Sequence, residues 1–299
     1  MKLNKRSVFL SVVVLVVLGS SIALNMLLYS RAKRYYLEVN QTRLDPFGLN
    51  EYPANLQQVT KTDRARIVFF GDSRAASWSP PNIGEYEFIN RGIGSQTSVQ
   101  TIQRFAAHVT PLKPNIIIIQ VGVNDLKTIA LFPDRRDAIV ANCKANIRQI
   151  VAESGNLGAV AIVTTIFPVG EVPIERKPFW SDKISAAIKE VNADIATLAG
   201  EKTIVFDTFP ILADSQGNIL PKYSSDELHL NEQGYAILNQ HLSQLLNSME
   251  RKKSRIRSYK YCRPQLSTIS KLHKQSPGEW NSQLHKQSRP APTNGKLES

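Results

Sequence analysis

A serine, an asparagine, an aspartate and a histidine stand where this 299-residue chain changes character. Ser73 closes Val68-Phe69-Phe70-Gly71-Asp72-Ser73, an apolar run cut short by a glycine and two small polar residues. Asn124 follows a second run, Ile116-Ile117-Ile118-Ile119-Gln120-Val121, which ends in Gly122-Val123. Asp226 and His229 share the stretch Asp226-Glu227-Leu228-His229, just ahead of a helical pattern that starts after Asn231. These residue types fit acyl transfer. A serine hydroxyl is a weak nucleophile until a base takes its proton, and His229 is the candidate base. On a turn, Asp226 can reach the Nδ1 side of that ring, fix its tautomer and stabilise the imidazolium. A developing oxyanion needs pre-placed donors. The Ser73 N–H, a backbone N–H of Gly94-Ser95 and the Asn124 side-chain amide are the candidates. By itself Gly-Asp-Ser makes a good turn and N-cap; Asn124 and the Asp226/His229 pair give Ser73 its chemical reading. Arg74, next in the chain, either brings a cation to the site or points to solvent. Phe179 and Trp180 are candidate substrate contacts.

The elements that must position these groups follow from hydrophobic period. Strand patterns at 66–70, 86–90, 114–121, 159–165 and 203–206 alternate with helical patterns at 97–109, 135–153, 182–199 and 232–248. That alternation predicts a doubly wound α/β sandwich around a parallel sheet. In such sheets, groups beyond the carboxyl ends of the strands converge on one edge. The Pro-rich aromatic stretch 166–180 has no clear period and is predicted to be a loop or lid at that edge.

Four segments carry a family resemblance. Gly71-Asp72-Ser73, Asn90-Arg91-Gly92-Ile93-Gly94-Ser95, Gly122-Val123-Asn124-Asp125 and Asp226-Glu227-Leu228-His229 resemble, in order and spacing, the four blocks of the GDSL/SGNH hydrolase family. The resemblance covers about residues 65–248. It implies a three-layer, flavodoxin-like α/β/α sandwich with a central five-stranded parallel sheet. It also implies an esterase or acylhydrolase acting on lipid, sugar or small-acyl esters, with some members transferring acyl groups. By resemblance Ser73 is the nucleophile, His229 the base, Asp226 its orienting acid and Asn124 an oxyanion donor. Two positions depart from the family pattern. Ser95 takes a usual glycine place, keeping a backbone N–H, and arginine replaces the namesake leucine after Ser73.

Charge divides the chain. The formal charge of +12 resolves into +6 over residues 1–34, −4 over 35–250 and +10 over 251–299. The body is mildly acidic, which argues against nucleic acid as its partner. Residues 7–28 are uncharged, almost wholly apolar and flanked by Lys2, Lys5 and Arg6 before and Arg31, Lys33 and Arg34 after. A run of roughly 20 such residues can span a bilayer, whereas a cleaved signal has an apolar region of about 7–15. A signal anchor is therefore expected, with secretion after cleavage as the alternative. Basic residues on both flanks leave the positive-inside rule undecided; the short single-span form favours an extracytoplasmic body. The expected organisation is an anchor over 1–34, a stalk over 35–64, a catalytic domain over 65–249 and a basic, disordered tail over 250–299. The tail repeats Leu-His-Lys-Gln-Ser at 272–276 and 284–288 and is suited to touching anionic lipids or polymers.

Other classes find less support. Neither Cys143 nor Cys262 lies in a metal-binding spacing, no cofactor is implied, and Cys143 is expected to be a core residue. There is no G-x-S-x-G elbow and no P-loop lysine, and Gly92-Ile93-Gly94 lacks the third glycine of a dinucleotide loop. The expectation is a membrane-anchored serine esterase. An O-acetylesterase or acyltransferase on cell-envelope polysaccharide is the alternative within enzymes, and a non-catalytic envelope-polymer binding module the alternative outside them.

Overall fold

The five apolar runs become one sheet. The computed structural model describes residues 4–52 and 63–272. Strands β1 (Ala65–Gly71), β2 (Tyr86–Gly92), β3 (Ile116–Gln120), β4 (Val160–Thr164) and β5 (Thr203–Phe206) pair in parallel in the order β2-β1-β3-β4-β5. The helices are α1 (Lys5–Leu44), α2 (Ser73–Ala76), α3 (Ser98–Gln103), α4 (Phe105–His108), α5 (Val123–Leu126), α6 (Arg136–Asn156), α7 (Lys183–Ala196), α8 (Phe209–Leu212) and α9 (Glu232–Leu272). This is the five-stranded parallel α/β architecture expected from the sequence.

Every residue of β3 is buried, because a central parallel strand is covered on both faces. Val68, Phe70, Ile117, Ile119, Ala161 and Val163 enter one core with Phe105 of α4, Ile147 of α6 and Ile188 of α7. Alternate residues point the other way. There Phe69 meets Trp78 at 5.3 Å between ring centroids, and Trp78 in turn meets Phe167 and Tyr235 at 6.0 Å. Burying one isoleucine of such a strand contributes about 1.5–3 kcal/mol. The strand order reverses beside β1: the chain steps to β2 on one flank and returns to β3 on the other. Ser73 and Asn124, which follow β1 and β3, thus flank the switch point where ligands of such sheets bind.

Several boundaries differ from expectation. The stalk begins as helix: α1 runs on through residues 35–44, which contain neither glycine nor proline, and stops ahead of Pro46. Residues 45–52 form a turn, and the rest of the expected stalk, 53–62, lies outside the described residues. α1 is long and apolar enough to cross a membrane, and none of its residues is buried. The helix expected over 97–109 is two helices, because Arg104 leaves helical geometry (φ −97°, ψ 2°).

The chain divides into two compact units, 1–240 and 241–299. In the second unit α9 continues to Leu272, where a disordered tail was expected from 250. Its Lys, Arg, Gln and Leu residues favour helix, and the helix carries Pro264 in its interior. Residues 273–299, with most of the repeat, lie outside the described residues. Cys143 is a buried free thiol in the core.

β1 can end where it does only with a glycine. A Cβ on Gly71 would sit 1.8 Å from the backbone oxygen of Gln120, whereas Gly94 has open space around it. Gly71→Ala is expected to lower stability by about 3 kcal/mol or more, and Gly94→Ala to change it by less than about 1 kcal/mol. Urea unfolding of the two variants beside the parent checks this.

Candidate active site

The site is assembled at the carboxyl edge of the sheet. Ser73 opens α2 directly after β1, and Asp72 caps that helix by accepting the Arg74 N–H at 2.9 Å. Asn90, at the end of β2, donates through Nδ2 to the Ala75 carbonyl at 2.8 Å and accepts the Gly92 N–H at 2.8 Å. The turn after β1 is thereby tied to the turn after β2.

Ser73 Oγ lies 3.0 Å from His229 Nε2. On the far side of the ring, Nδ1 lies 2.8 Å from Asp226 Oδ2. A carboxylate only accepts, so Nδ1 carries the hydrogen and Nε2 is left to accept from the serine hydroxyl. Asp226 Oδ1 accepts the backbone N–H groups of Leu228 and His229, both at 2.7 Å. One carboxylate therefore folds its own loop and holds the ring. Partial burial raises the Asp226 pKa, but the hydrogen bonds from His229 and from the Leu228 and His229 amides outweigh it and hold it below its ordinary value. A hydroxyl, an imidazole and a carboxylate in this order make the relay that nucleophilic catalysis requires.

Asn124 is buried in α5, and its Nδ2 donates to the Gln96 carbonyl at 3.0 Å. An amide nitrogen carries two hydrogens, so this bond orients the group and leaves the second hydrogen for another acceptor. Gly94 and Ser95 are exposed in the loop after β2, and Ser95 adopts a left-handed backbone (φ 62°). This conformation suits the glycine that serine replaces, and it costs a non-glycine residue about 1–2 kcal/mol. Asp125 accepts from the Ser98 N–H at 2.8 Å and from its hydroxyl at 2.6 Å, seating the start of α3.

Arg74 faces neither substrate nor solvent. It is fully buried. Its guanidinium donates to the carbonyls of Leu228 at 2.8 Å, Phe167 at 3.0 Å and Pro168 at 3.2 Å. The expected substrate contact is thus a strut: the residue after Ser73 is bonded to the residue before His229. Burial pulls its pKa down to about 10 against the opposing charge of Asp72. Asp72 is itself pushed up to about 6 by burial, with Arg74 opposing. Its Oδ2 is buried without a hydrogen-bond partner. Sequence reasoning missed a second strut. Arg104, also fully buried, donates to the carbonyls of Gly71 and Arg91, both at 2.7 Å, and to Gln96 Oε1. The sequence carried no signal for it, because arginine inside a helical pattern reads as solvated.

The 166–180 loop is fastened to the Asp226 segment. The Gly170 N–H donates to the Glu227 carbonyl at 2.8 Å, and Arg176 pairs with Glu227. Loop and segment border an open cavity of about 930 Å³, lined by Trp180, Asp182, Asp214, Gln216, Asn218 and Asp226 among others, but not by Ser73 or His229. Trp180 also packs on the core, whereas Phe179 is exposed and does not line this cavity.

Fold and site geometry together define an α/β enzyme of the ester-hydrolysing class. The GDSL-like Lipase/Acylhydrolase family model matches residues 62–237, more than half of the chain, and the chain belongs to that family. Among solved structures, a GDSL-like lipase from Bacteroides thetaiotaomicron is similar at 21% identity, covering 73% of this chain and 97% of its own, with a TM-score of 0.52. A Streptococcus pneumonia protein, provisionally assigned as a platelet activating factor, is similar at 21% identity, covering 72% of this chain and 99% of its own, with a TM-score of 0.57. At these identities the likeness is one of fold. Among curated proteins none matches the sequence.

Two substitutions test the buried pair Arg74 and Asp72. Arg74→Lys cannot reproduce three bonds from one planar fork; a loss of about 3 kcal/mol is expected in chemical unfolding. Asp72→Asn keeps an acceptor for the cap and removes a titration. The folded carboxyl holds its proton to about pH 6, whereas the ordinary value is 3.8. Between those values the folded state binds more protons, so this group makes stability fall as pH rises. Unfolding midpoints measured from pH 4 to pH 6 are expected to rise more, or fall less, with pH in Asp72→Asn than in the parent.

Proposed function

We propose that this protein is a membrane-anchored serine esterase that cleaves carboxylic esters through an acyl-enzyme at Ser73. The observation that carries the reading is the relay from Ser73 Oγ to His229 Nε2 at 3.0 Å and from Nδ1 to Asp226 at 2.8 Å. In the first half-reaction Ser73 Oγ attacks the ester carbonyl while His229 Nε2 takes the hydroxyl proton, and Asp226 stabilises the imidazolium. The oxyanion is met by the Ser73 N–H, a backbone N–H of Gly94-Ser95 and the Asn124 amide. The C–O bond breaks as His229 returns the proton to the leaving alkoxide. Water, activated by the same imidazole, then attacks the acyl-enzyme and releases the acid and the free serine. α1 holds the enzyme in the membrane with the body on the extracytoplasmic side.

A glycan O-acyl ester, such as an O-acetylated envelope polysaccharide, is the alternative substrate class, and the membrane-spanning length of α1 motivates it. The same acyl-enzyme would transfer its acyl group where a sugar hydroxyl competes with water.

A fluorophosphonate probe is expected to label Ser73 in the full-length protein, with the modified peptide identified by mass spectrometry. Hydrolysis of p-nitrophenyl acetate is expected to fall by at least about a thousandfold in Ser73→Ala and in His229→Ala. Parental turnover in both variants would overturn the esterase reading; polymer binding unchanged by Ser73→Ala, with no turnover on any ester, would leave a binding module.

A further inference from the structure

The segment that leaves the membrane helix is built into the loop after β2. Asp45 ends α1 and folds the next residues by accepting the N–H groups of Leu49 at 2.8 Å and Asn50 at 2.9 Å. The resulting turn meets the end of β2, the loop after it, α3 and α4 at four polar points. Gln96 Nε2 donates to the Phe47 carbonyl and Gln100 Nε2 to the Pro46 carbonyl, both at 2.8 Å. The Tyr52 hydroxyl donates to the Gly92 carbonyl at 2.6 Å, and His108 Nε2 lies 3.2 Å from the Leu49 carbonyl. The Arg91 guanidinium stacks on the Tyr52 ring at 4.5 Å. Gly48, at φ +67°, is so close that an added Cβ would meet Gln96 Nε2 at 2.9 Å.

Gln96 converts this docking into a constraint on the site. Its side chain is held between Phe47 on one side and Arg104 on the other. Its backbone carbonyl is the acceptor that orients the Asn124 amide. The residue before it is Ser95, whose left-handed backbone persists only where its surroundings hold it.

The geometry points to the turn Asp45–Tyr52 as a positioning element of the active site, one that clamps Gln96 and Ser95 so that the loop and Asn124 present their donors to the oxyanion. The inference rests on the reading of Asn124 as an oxyanion donor. It makes the juxtamembrane turn part of the catalytic apparatus as well as a tether.

The test uses the full-length chain in detergent micelles with p-nitrophenyl acetate, with thermal midpoints recorded to confirm folding. Gly48→Ala, which presses on Gln96, is expected to lower kcat by about ten- to a hundredfold with KM changed by less than about threefold. Tyr52→Phe, which removes one bond and keeps the ring, is expected to act in the same direction and more weakly. In an Asn124→Ala background, Gly48→Ala is expected to cost less than it does in the parent, because one of the two donors it disturbs is already gone. Ser95→Gly, which relieves the backbone strain, is expected to recover part of the Gly48→Ala loss. A kcat within about twofold of the parent in both Gly48→Ala and Tyr52→Phe, where Asn124→Ala is itself severe, would overturn the clamp and leave the site reading intact. So would a Gly48→Ala loss that is undiminished beside Asn124→Ala. Parental turnover in Asn124→Ala would overturn that reading and the clamp with it.

Discussion

The site depends first on one buried guanidinium. Arg74 adjoins Ser73, and it bonds the carbonyl of Leu228, which adjoins His229. The 3.0 Å approach between Oγ and Nε2 is thus set by a covalent step, a charge-assisted hydrogen bond and another covalent step. The same side chain reaches Phe167 and Pro168 and so fixes where the loop beyond β4 departs. Burying a cation is costly unless it is well bonded and its charge offset. Here three carbonyls bond it and the neighbouring Asp72 opposes its charge. On the other flank Arg104 bonds the carbonyls of Gly71 and Arg91, at the ends of β1 and β2. The Ser73 turn is bracketed by two buried arginines, each bonding backbone carbonyls of distant segments.

Around that bracket the sheet supplies rigidity and the turns supply function. β1 and β3 lie at the centre of the sheet, and β3 is buried along its whole length. Short helices begin directly at their carboxyl ends. Ser73 and Asn124 are therefore carried by the stiffest part of the molecule, while His229 and Asp226 come from a loop with no strand of its own. That loop is stabilised from within by Asp226 and from without by Arg74 and by the Gly170 contact.

The architecture was legible in the sequence because it rests on hydrophobic period. The four isoleucines of β3 and the apolar run ending at Gly71 could hardly be anything but central strands. That Ser73, Asn124, Asp226 and His229 share one edge of the sheet was legible because each follows a strand or leads into a helix. Arg74 and Arg104 were not legible: a charge inside a core depends on backbone carbonyls contributed by distant loops, and no local pattern announces it. The break at Arg104 has the same origin, since the side chain leaves the helical surface for the interior. The docking of residues 45–52 was invisible for a related reason. Mixed polar and aromatic residues near two prolines look like linker, and only the folded end of β2, the loop after it and α4 give Tyr52 and Phe47 their partners. Ser95 is intermediate: its place in the glycine block was apparent, its left-handed backbone was not.

Asp226 and His229 are only three residues apart, and their bond closes within a loop that Asp226 itself folds. Half of the relay is therefore a local structure with almost no loop-closure entropy to overcome. The contact with Ser73 spans 156 positions and exists only when the whole sheet is in place. The Asp226–His229 bond is thus a short-range contact and the Ser73–His229 contact a long-range one. A chain that kept the Asp226 loop but lost the sheet would hold an oriented histidine with no serine beside it.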